Sequence, residues 1–569
     1  MIVLGFTYWN GSHDSSAAIV RDGALVAAAE EERFSRAKHD GDIPFNAIDY
    51  CLREAGVTMR DVDVVAYPDL PYRTGPNSQL AETSPASVRE LIDAGRLRGR
   101  SMIHKRALDA AVRLRVARDA GLNPLVAKAF DEMRQRYGIL PPFRFYGHHL
   151  AHSAAAYLTS GFDEAAIVTL DGRGGALSGA TWCGSGAGID RLEEEPYSNS
   201  LGWFYRDCTR YAGLGDFGEG KLMGLAPYGT AGPQLTAVNE LIDTVDAKWF
   251  RYRASPSRRS LPFSNRADSD ILADPWPDFA AAAQHALERG IERVSRSALL
   301  GSRARNLCVG GGVAMNCSAN GKLLAAGIAD DMWLFPASGD GGLSVGAALL
   351  AARDLGEYQQ IRLESPYWGP SFDDAECEAA LHEMQLTFAR SSALSNEVAS
   401  MLAAGDVVGW FQGRMELGPR ALGNRSILAD PRTVAMRDKA NRIKRRESWR
   451  PLAPSILSER TRGWFALTPP NAFMLFAVQA TAQTRERAPA IVHVDGSARP
   501  QPVTRELNPR YYDLLAEFER LTGVPILLNT SFNAAGEPIV CSPRDAVKTF
   551  LSTDLDALVL GPFIARKTV

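Results

Sequence analysis

Two imidazoles in the run Gly147-His-His-Leu-Ala-His152 have the spacing from which chemistry can be read. The run continues through Ser-Ala-Ala-Ala-Tyr157 to Gly161, which reads as a helix and its stop. His148 and His152 stand four apart and share one helical face, whereas His149 points elsewhere. Two imidazoles one turn apart can grip a metal ion, although HxxxH alone is more often a pair of histidines hydrogen-bonded near a surface. Two acids shift the balance. Asp171 closes an expected strand at 165–171, directly after this helix, and Asp340 lies in a glycine-rich turn. Two histidines and two aspartates form a mixed nitrogen and oxygen set suited to iron, manganese or zinc rather than calcium. A cation there would bridge a phosphate and polarise a carbonyl.

A second concentration of chemistry is cationic. Between residues 414 and 450 stand eleven cations against four acids (Glu416, Asp430, Asp438 and Glu447), in a chain whose net charge is −3. Such runs are commonly solvated faces or RNA-binding patches. This one is interleaved with Gly418-Pro419, Ala421-Leu422-Gly423 and Trp449-Arg-Pro-Leu-Ala-Pro454, which look packed. A buried pocket for polyphosphate is the better reading, because arginine offers a planar fork to oxyanions and lysine a point charge. Asn529-Thr-Ser-Phe-Asn533 adds amides and hydroxyls at a strand end, which suits phosphate or carbamate. The stretch 218–229, with four glycines, one proline and the lone Lys221, reads as a shaped loop of either structural or functional purpose.

These groups need elements to position them. Residues 1–7, 15–21 and 24–30 read as three strands, with a polar loop at 8–14 and an Asp22-Gly23 hairpin turn. The pattern returns at 165–171, 176–184 and 189–194, with 172–175 as the first loop. Two subdomains that each open on an antiparallel meander describe the actin-like and sugar-kinase architecture. Two strand-to-helix junctions follow, 307–309 into Gly310-Gly-Gly-Val-Ala-Met-Asn316 and 332–336 into Ala337-Ser-Gly-Asp-Gly-Gly342, the latter leading into a helix at 343–353. Glycine lets phosphate approach backbone N–H groups, and the helix that follows presents its positive end. The pattern restarts through 367–370. A domain boundary is therefore expected between Ala351 and Phe372, giving domains 1–355 and 366–569. In the second, strands are expected at 407–411 and 524–529 and helices at 397–404, 511–521 and 544–551.

The length of 569 residues requires at least two domains. With 46% apolar and 23% charged residues, the chain is neither disordered nor fibrous. The seven cysteines form no CxxC pair, and their odd number argues for reduced thiols. The start of the chain is too polar for a signal peptide, and no apolar run reaches bilayer length, so a cytoplasmic protein is expected.

Several longer motifs carry a resemblance to a known family. They are Ser12-His-Asp-Ser-Ser-Ala17, Glu30-Glu-Glu-Arg-Phe34, Lys38-His39, HHLAH at 148–152, Leu170-Asp-Gly172, GKLMGLAPYG at 220–229, GGVAMN at 311–316, GPRALGNRSILADPR at 418–432 and LLNTSFN at 527–533. Together they resemble the NodU/CmcH carbamoyltransferase family over essentially the whole chain. The resemblance implies an α/β fold. Its duplicated actin-like/sugar-kinase-type (ASKHA) N-terminal domain is similar to the threonylcarbamoyl-transfer subunit of tRNA-modifying machinery, and its C-terminal domain is YrdC-like. It implies an O-carbamoyltransferase that forms carbamoyl-adenylate from carbamoyl phosphate and ATP and passes the carbamoyl group to a hydroxyl of a small molecule, such as a secondary metabolite or sugar.

By motif, His148, His152, Asp171 and Asp340 become ligands of a divalent metal of the Fe2+ type, with Mg2+ as an option beside ATP. His13 becomes a candidate base. Lys38, Gly310, Gly311, Gly312 and Asn316 become adenylate contacts, and Arg420, Lys444, Arg446, Arg499, Asn529 and Ser531 the pocket for carbamoyl phosphate and ATP. One departure is Arg173, a bulky cation beside the metal site, which bears on the acceptor. No membrane or nucleic-acid partner is expected. The rival readings are a small-molecule kinase and a tRNA-modifying enzyme. Acceptor-binding residues are expected in the variable loops 71–144 and 195–216.

Overall fold

The computed structural model describes residues 1–8, 13–69, 86–87, 124–243, 250–253, 270–358 and 360–567. Most of the expected loop 71–144 lies outside them. The described residues form two compact units.

The first unit comprises Met1–Ser200, Ser297–Ala314 and Trp333–Leu363. Its first sheet contains β1 (Ile2–Thr7), β2 (Ser16–Arg21), β3 (Ala24–Glu30), β4 (Val64–Tyr67), β5 (Ala86–Ser87) and β6 (Phe143–Phe145), in the order β3-β2-β1-β4-β6-β5. Its second sheet contains β7 (Glu164–Gly174), β8 (Leu177–Ser185), β9 (Gly188–Pro196), β10 (Leu307–Gly310) and β11 (Met332–Leu334), in the order β11-β10-β7-β8-β9. Each sheet is thus an antiparallel three-stranded meander whose first strand pairs, parallel, with a later strand: β1 with β4, β7 with β10. The repeat expected from turn residues is therefore a repeat of topology, and it establishes the duplicated sugar-kinase-type architecture.

Strand β7 overruns its expected end. The residues read as the loop 172–175 stay largely in the strand to Gly174, through a register irregularity between Leu170 and Gly174. A bulge of this kind re-aims side chains near a sheet rim. Here it follows directly on Asp171.

Three helices matter for the site: α1 (Phe45–Glu54), α2 (His148–Tyr157) and α3 (Leu343–Asp354). Helix α2 is buried along its whole length, its three histidines included, and α3, apolar or small nearly all round, is buried from Leu343 to Ala352. They lie in close contact: a Cβ on Gly346 of α3 would come within 1.9 Å of the Ala151 carbonyl of α2. Only a residue without a side chain permits that approach.

The second unit comprises Leu201–Arg296, Met315–Met332 and Glu364–Val569, so the compact units interleave along the chain where the expected domains 1–355 and 366–569 are consecutive. Its core lies around an eight-stranded mixed sheet, in the spatial order Phe388–Arg390, Phe563–Arg566, Ala557–Leu560, Val408–Phe411, Arg425–Ala429, Ile526–Ser531, Ala453–Leu457, Gln501–Val503. The earlier segments belong here because they pack on the later ones. Asn320 donates to the Leu475 carbonyl (2.9 Å), Ala477 N–H to the Cys317 carbonyl (2.9 Å), and the Tyr228 hydroxyl to the Trp449 carbonyl (3.0 Å). The helices expected at 397–404, 511–521 and 544–551 appear as Leu394–Ala403, Pro509–Thr522 and Pro543–Ser552. All seven cysteines are free. No helix among the described residues is long and apolar enough to cross a membrane.

Candidate active site

His148 and His152 project from one face of α2, Asp171 from β7, and Asp340 from the short turn that leads into α3. Their ligand atoms all lie within 4.8 Å of one another. His152 Nε2 is 3.1 Å from His148 Nε2, 3.0 Å from Asp171 Oδ2 and 3.4 Å from Asp340 Oδ1. His148 Nε2 is 3.7 Å from Asp171 Oδ2 and 3.6 Å from Asp340 Oδ1. Donors held about 2.0–2.2 Å from one ion stand roughly 3.0–3.5 Å apart when adjacent around it. The set fits a single divalent ion of the nitrogen-and-oxygen class. Asp171 is oriented by Gly172 N–H (2.6 Å to Oδ1) and Gly312 N–H (3.1 Å to Oδ2), and Ser200 Oγ donates to the carbonyls of Asp171 and Gly172. Burial disfavours charge on Asp171 and His152, yet the histidines hold the Asp171 carboxyl well below the usual range and the two aspartates raise His152 to about 9.

His13 lies beside this cluster, its Nδ1 3.8 Å from Asp340 Oδ2 and 3.5 Å from Asp14 Oδ2. Asp14 offers its other oxygen to His39 Nδ1 at 2.8 Å. Asp14 and His39 both have left-handed backbone, at φ 54° and 57°, a conformation uncommon outside glycine and often found at functional sites. His39 N–H in turn donates to Glu32 Oε2 (2.7 Å), and Glu32 pairs with Arg33 at 2.9 Å. Against the effect of burial, Asp14 and Asp340 raise His13 to about 9, so without a cation it is protonated at neutral pH. Acting as a base requires that the charge of Asp340 and Asp171 be satisfied elsewhere.

In the second unit, Arg420, Arg446, Arg450 and Arg499 gather near one another. Burial first, and then Arg499, lowers the Arg420 guanidinium to about 9; burial, then Arg450 and Arg499, brings Arg446 to about 9. Arg450 is lowered too, by burial above all. The Nε atoms of Arg420 and Arg499 are buried with no hydrogen-bond partner among the described residues. Only one carboxylate pairs with the four among those residues: Glu447, 3.5 Å from Arg450. Four crowded cations and one acid cost stability unless an anion joins them.

Two family models match this chain: the carbamoyltransferase N-terminus over residues 3–349 and the carbamoyltransferase C-terminus over 399–567. The chain belongs to the carbamoyltransferase family. The family regions run consecutively along the chain, whereas the compact units interleave. Among its relatives, this carbamoyltransferase is 39% identical to the nodulation protein NolNO of Sinorhizobium fredii, over 98% of its own length and 79% of the relative's. It is 42% identical to the nodulation protein NolO of Bradyrhizobium diazoefficiens, over 74% and 78% respectively. An uncharacterised protein of Synechocystis is 37% identical over 98% and 95%.

Other motif residues of the carbamoyltransferase have defined surroundings. Gly311 has φ 88°, and a Cβ there would fall 2.2 Å from the Leu170 carbonyl. The turn at Gly310–Gly312 thus packs on the strand that carries Asp171. The Asn316 amide is committed to its helix, accepting from Ala319 N–H (3.0 Å), and to a reciprocal pair of bonds with Gln284 (3.0 Å each). Lys38 is exposed, and its neighbour His39 is the one in the Asp14 network. Lys444 donates to the Ser531 hydroxyl (3.1 Å) and to Asn533 Oδ1 (3.0 Å) and carbonyl (3.2 Å), so it braces the strand-end loop. Asn529 donates to Ser455 Oγ (2.9 Å) and Gln501 Oε1 (3.2 Å).

Sequence reasoning counted Glu416 among the acids of the cationic run but gave it no part in the site. It is 2% exposed and accepts from the N–H groups of Leu422 (2.7 Å), Asn424 (2.8 Å) and Arg425 (3.1 Å), fixing the loop that carries Arg420. Its signal was an acid embedded in a cationic run. Arg173, two residues beyond Asp171, stacks on Tyr197 at 4.7 Å and donates to the Gly175 carbonyl at 2.9 Å.

Proposed function

We propose that this carbamoyltransferase works through two half-reactions, activation of the carbamoyl group in the second unit and its transfer to a hydroxyl in the first. The observation that carries the reading is the cluster of Arg420, Arg446, Arg450 and Arg499 with Glu447 as its one carboxylate partner among the described residues. Such a cluster suits the phosphates of carbamoyl phosphate and ATP. With one water, carbamoyl phosphate yields carbamate and phosphate; a carbamate oxygen then displaces pyrophosphate from the α-phosphorus of ATP, giving carbamoyl-adenylate.

In the first unit, the acceptor oxygen attacks the carbamoyl carbon and AMP leaves. His148, His152, Asp171 and Asp340 would hold a divalent ion, which as a Lewis acid would polarise the carbonyl. His13, oriented by Asp14, takes the hydroxyl proton. Arg173 on Tyr197 flanks this place and is positioned to influence which acceptor enters.

Arg446→Ala and Arg499→Ala separate the halves. Each removes a charge-assisted partner worth about 1.5–3 kcal/mol, or roughly one to two decades. Release of pyrophosphate from ATP and carbamoyl phosphate should fall by that factor, while preformed carbamoyl-adenylate should still carbamoylate an acceptor. Failure of supplied adenylate to rescue variants of normal fold and metal content would point to a single active site.

A further inference from the structure

The motif at 218–229 has no part in either half-reaction as described so far, yet it lies against the arginine cluster. Its helix, Glu219–Leu225, is followed by the single turn Ala226–Tyr228. Three contacts seat the segment within the second unit. A Cβ on Gly224 would stand 3.4 Å from Pro451 and 3.6 Å from Trp449, His493 Nε2 lies 2.8 Å from the Gly224 carbonyl, and the Tyr228 hydroxyl donates to the Trp449 carbonyl. The consequence is the placement of Lys221. Its Nζ is 3.0 Å from Glu447 Oε1, while Glu447 Oε2 is 3.5 Å from Arg450 NH1. Glu447 therefore stands between Lys221 and Arg450, closer to the lysine.

A carboxylate in a cluster meant for phosphate is a competitor for it. Either it weakens binding, or something must restrain it. We propose, on the reading that this cluster receives substrate phosphate, that Glu447 is an internal counter-anion which phosphate displaces from Arg450, and that Lys221 is the positioning residue that receives it. Lys221 supports phosphate binding without touching phosphate. Through it, a segment outside the second family region, which begins only at residue 399, tunes that region's anion site.

Titration calorimetry of the full-length protein with inorganic pyrophosphate tests this. Both side chains are about one-third exposed (34% and 37%), so substitutions there should be tolerated by the fold. Lys221→Ala should weaken binding about fivefold, the upper end for a half-exposed ion pair. Lys221→Arg should restore it. Glu447→Gln should tighten binding, and adding Lys221→Ala to Glu447→Gln should then change affinity less than about twofold. An equal loss from Lys221→Ala in both backgrounds would mean that lysine contacts the anion directly, and no loss in the parent background would mean that it has no role; either result overturns the proposal. Arg499→Ala serves as the separate control. If that variant binds pyrophosphate like the parent, the polyphosphate reading of the cluster fails, whatever Lys221 does.

Discussion

Residue by residue, the metal set makes the most direct prediction. If His148 is one of four donors, as proposed, His148→Ala should lose a bound divalent ion, with affinity falling by more than the ~10–100-fold typical when only an outer partner of a metal ligand is removed. Elemental analysis after dialysis reads this directly, and a variant that retains stoichiometric metal with an intact fold would refute the assignment. His13→Asn should slow transfer from preformed carbamoyl-adenylate by about 10²–10⁴-fold while leaving pyrophosphate release unchanged. Equal losses in both steps would instead give His13 a structural role. That His148, His152, Asp171 and Asp340 meet was legible because helical spacing and strand-end acids are local signals. Asp14 and His39 were harder. The motif containing His39 was visible, but a part for His39 itself was not, since nothing in the letters reveals that Asp14 and His39 adopt left-handed backbone and meet. Lys444 was recognised as a cation, but not as a brace whose partners lie 87 and 89 residues away.

At the scale of elements, the acidic run Glu30–Glu32 shows how a motif can serve several structures at once. Glu30 pairs with Arg33 at 3.4 Å and Glu32 receives His39 N–H, while Glu31 accepts from Asn46 N–H (3.3 Å) and Ala47 N–H (2.8 Å) at the start of α1. Glu31 thereby satisfies donors that a helix leaves open at its N-terminus, where Pro44 offers no side-chain cap. The side chain is 4% exposed, and burial, which outweighs the backbone donors, moves its carboxyl from an ordinary 4.5 to about 7. The folded protein then holds a proton that the unfolded chain releases. This contribution to stability is complete below pH 4.5 and is lost as pH rises through about 7. Glu31→Gln should flatten that part of the stability profile, as read by urea midpoints between pH 4.5 and 8. A parallel profile in the variant would show that Glu31 does not titrate there. Meanders and helices such as these were legible from periodicity and turn residues. The extension of β7 to Gly174 was not, because three glycines in four positions read as a loop while the bulge is imposed by pairing with β8.

For the molecule as a whole, the family-level architecture could be read in the chain, but the membership of its compact units could not. Leu201–Arg296 looks like a continuation of the first domain, and only long-range contacts, such as His493 with Gly224 and Asn320 with Leu475, assign it to the second unit. A fragment covering residues 366–569 should therefore not fold stably: it lacks the segments that cover Trp449, Pro451, Leu475 and Ala477. Proton spectra with dispersed amide signals and a cooperative thermal transition for that fragment would contradict this.

The interleaving has a further consequence for how the protein is made. Chains emerge from the ribosome N-terminus first, at about 5–20 residues per second, and units fold once their parts are present. Met1–Ser200 needs only the short pieces ending at Leu363 to be complete. Leu201–Arg296, by contrast, is synthesised early but has to wait for the last strand, Phe563–Arg566, before its unit can close. During that interval, on the order of tens of seconds, helices destined for the second unit are exposed without their partners. Slowed translation between residues 297 and 563 should thus reduce the yield of soluble enzyme more than the same delay placed before residue 200, and the loss should be relieved by chaperones that hold exposed apolar helices.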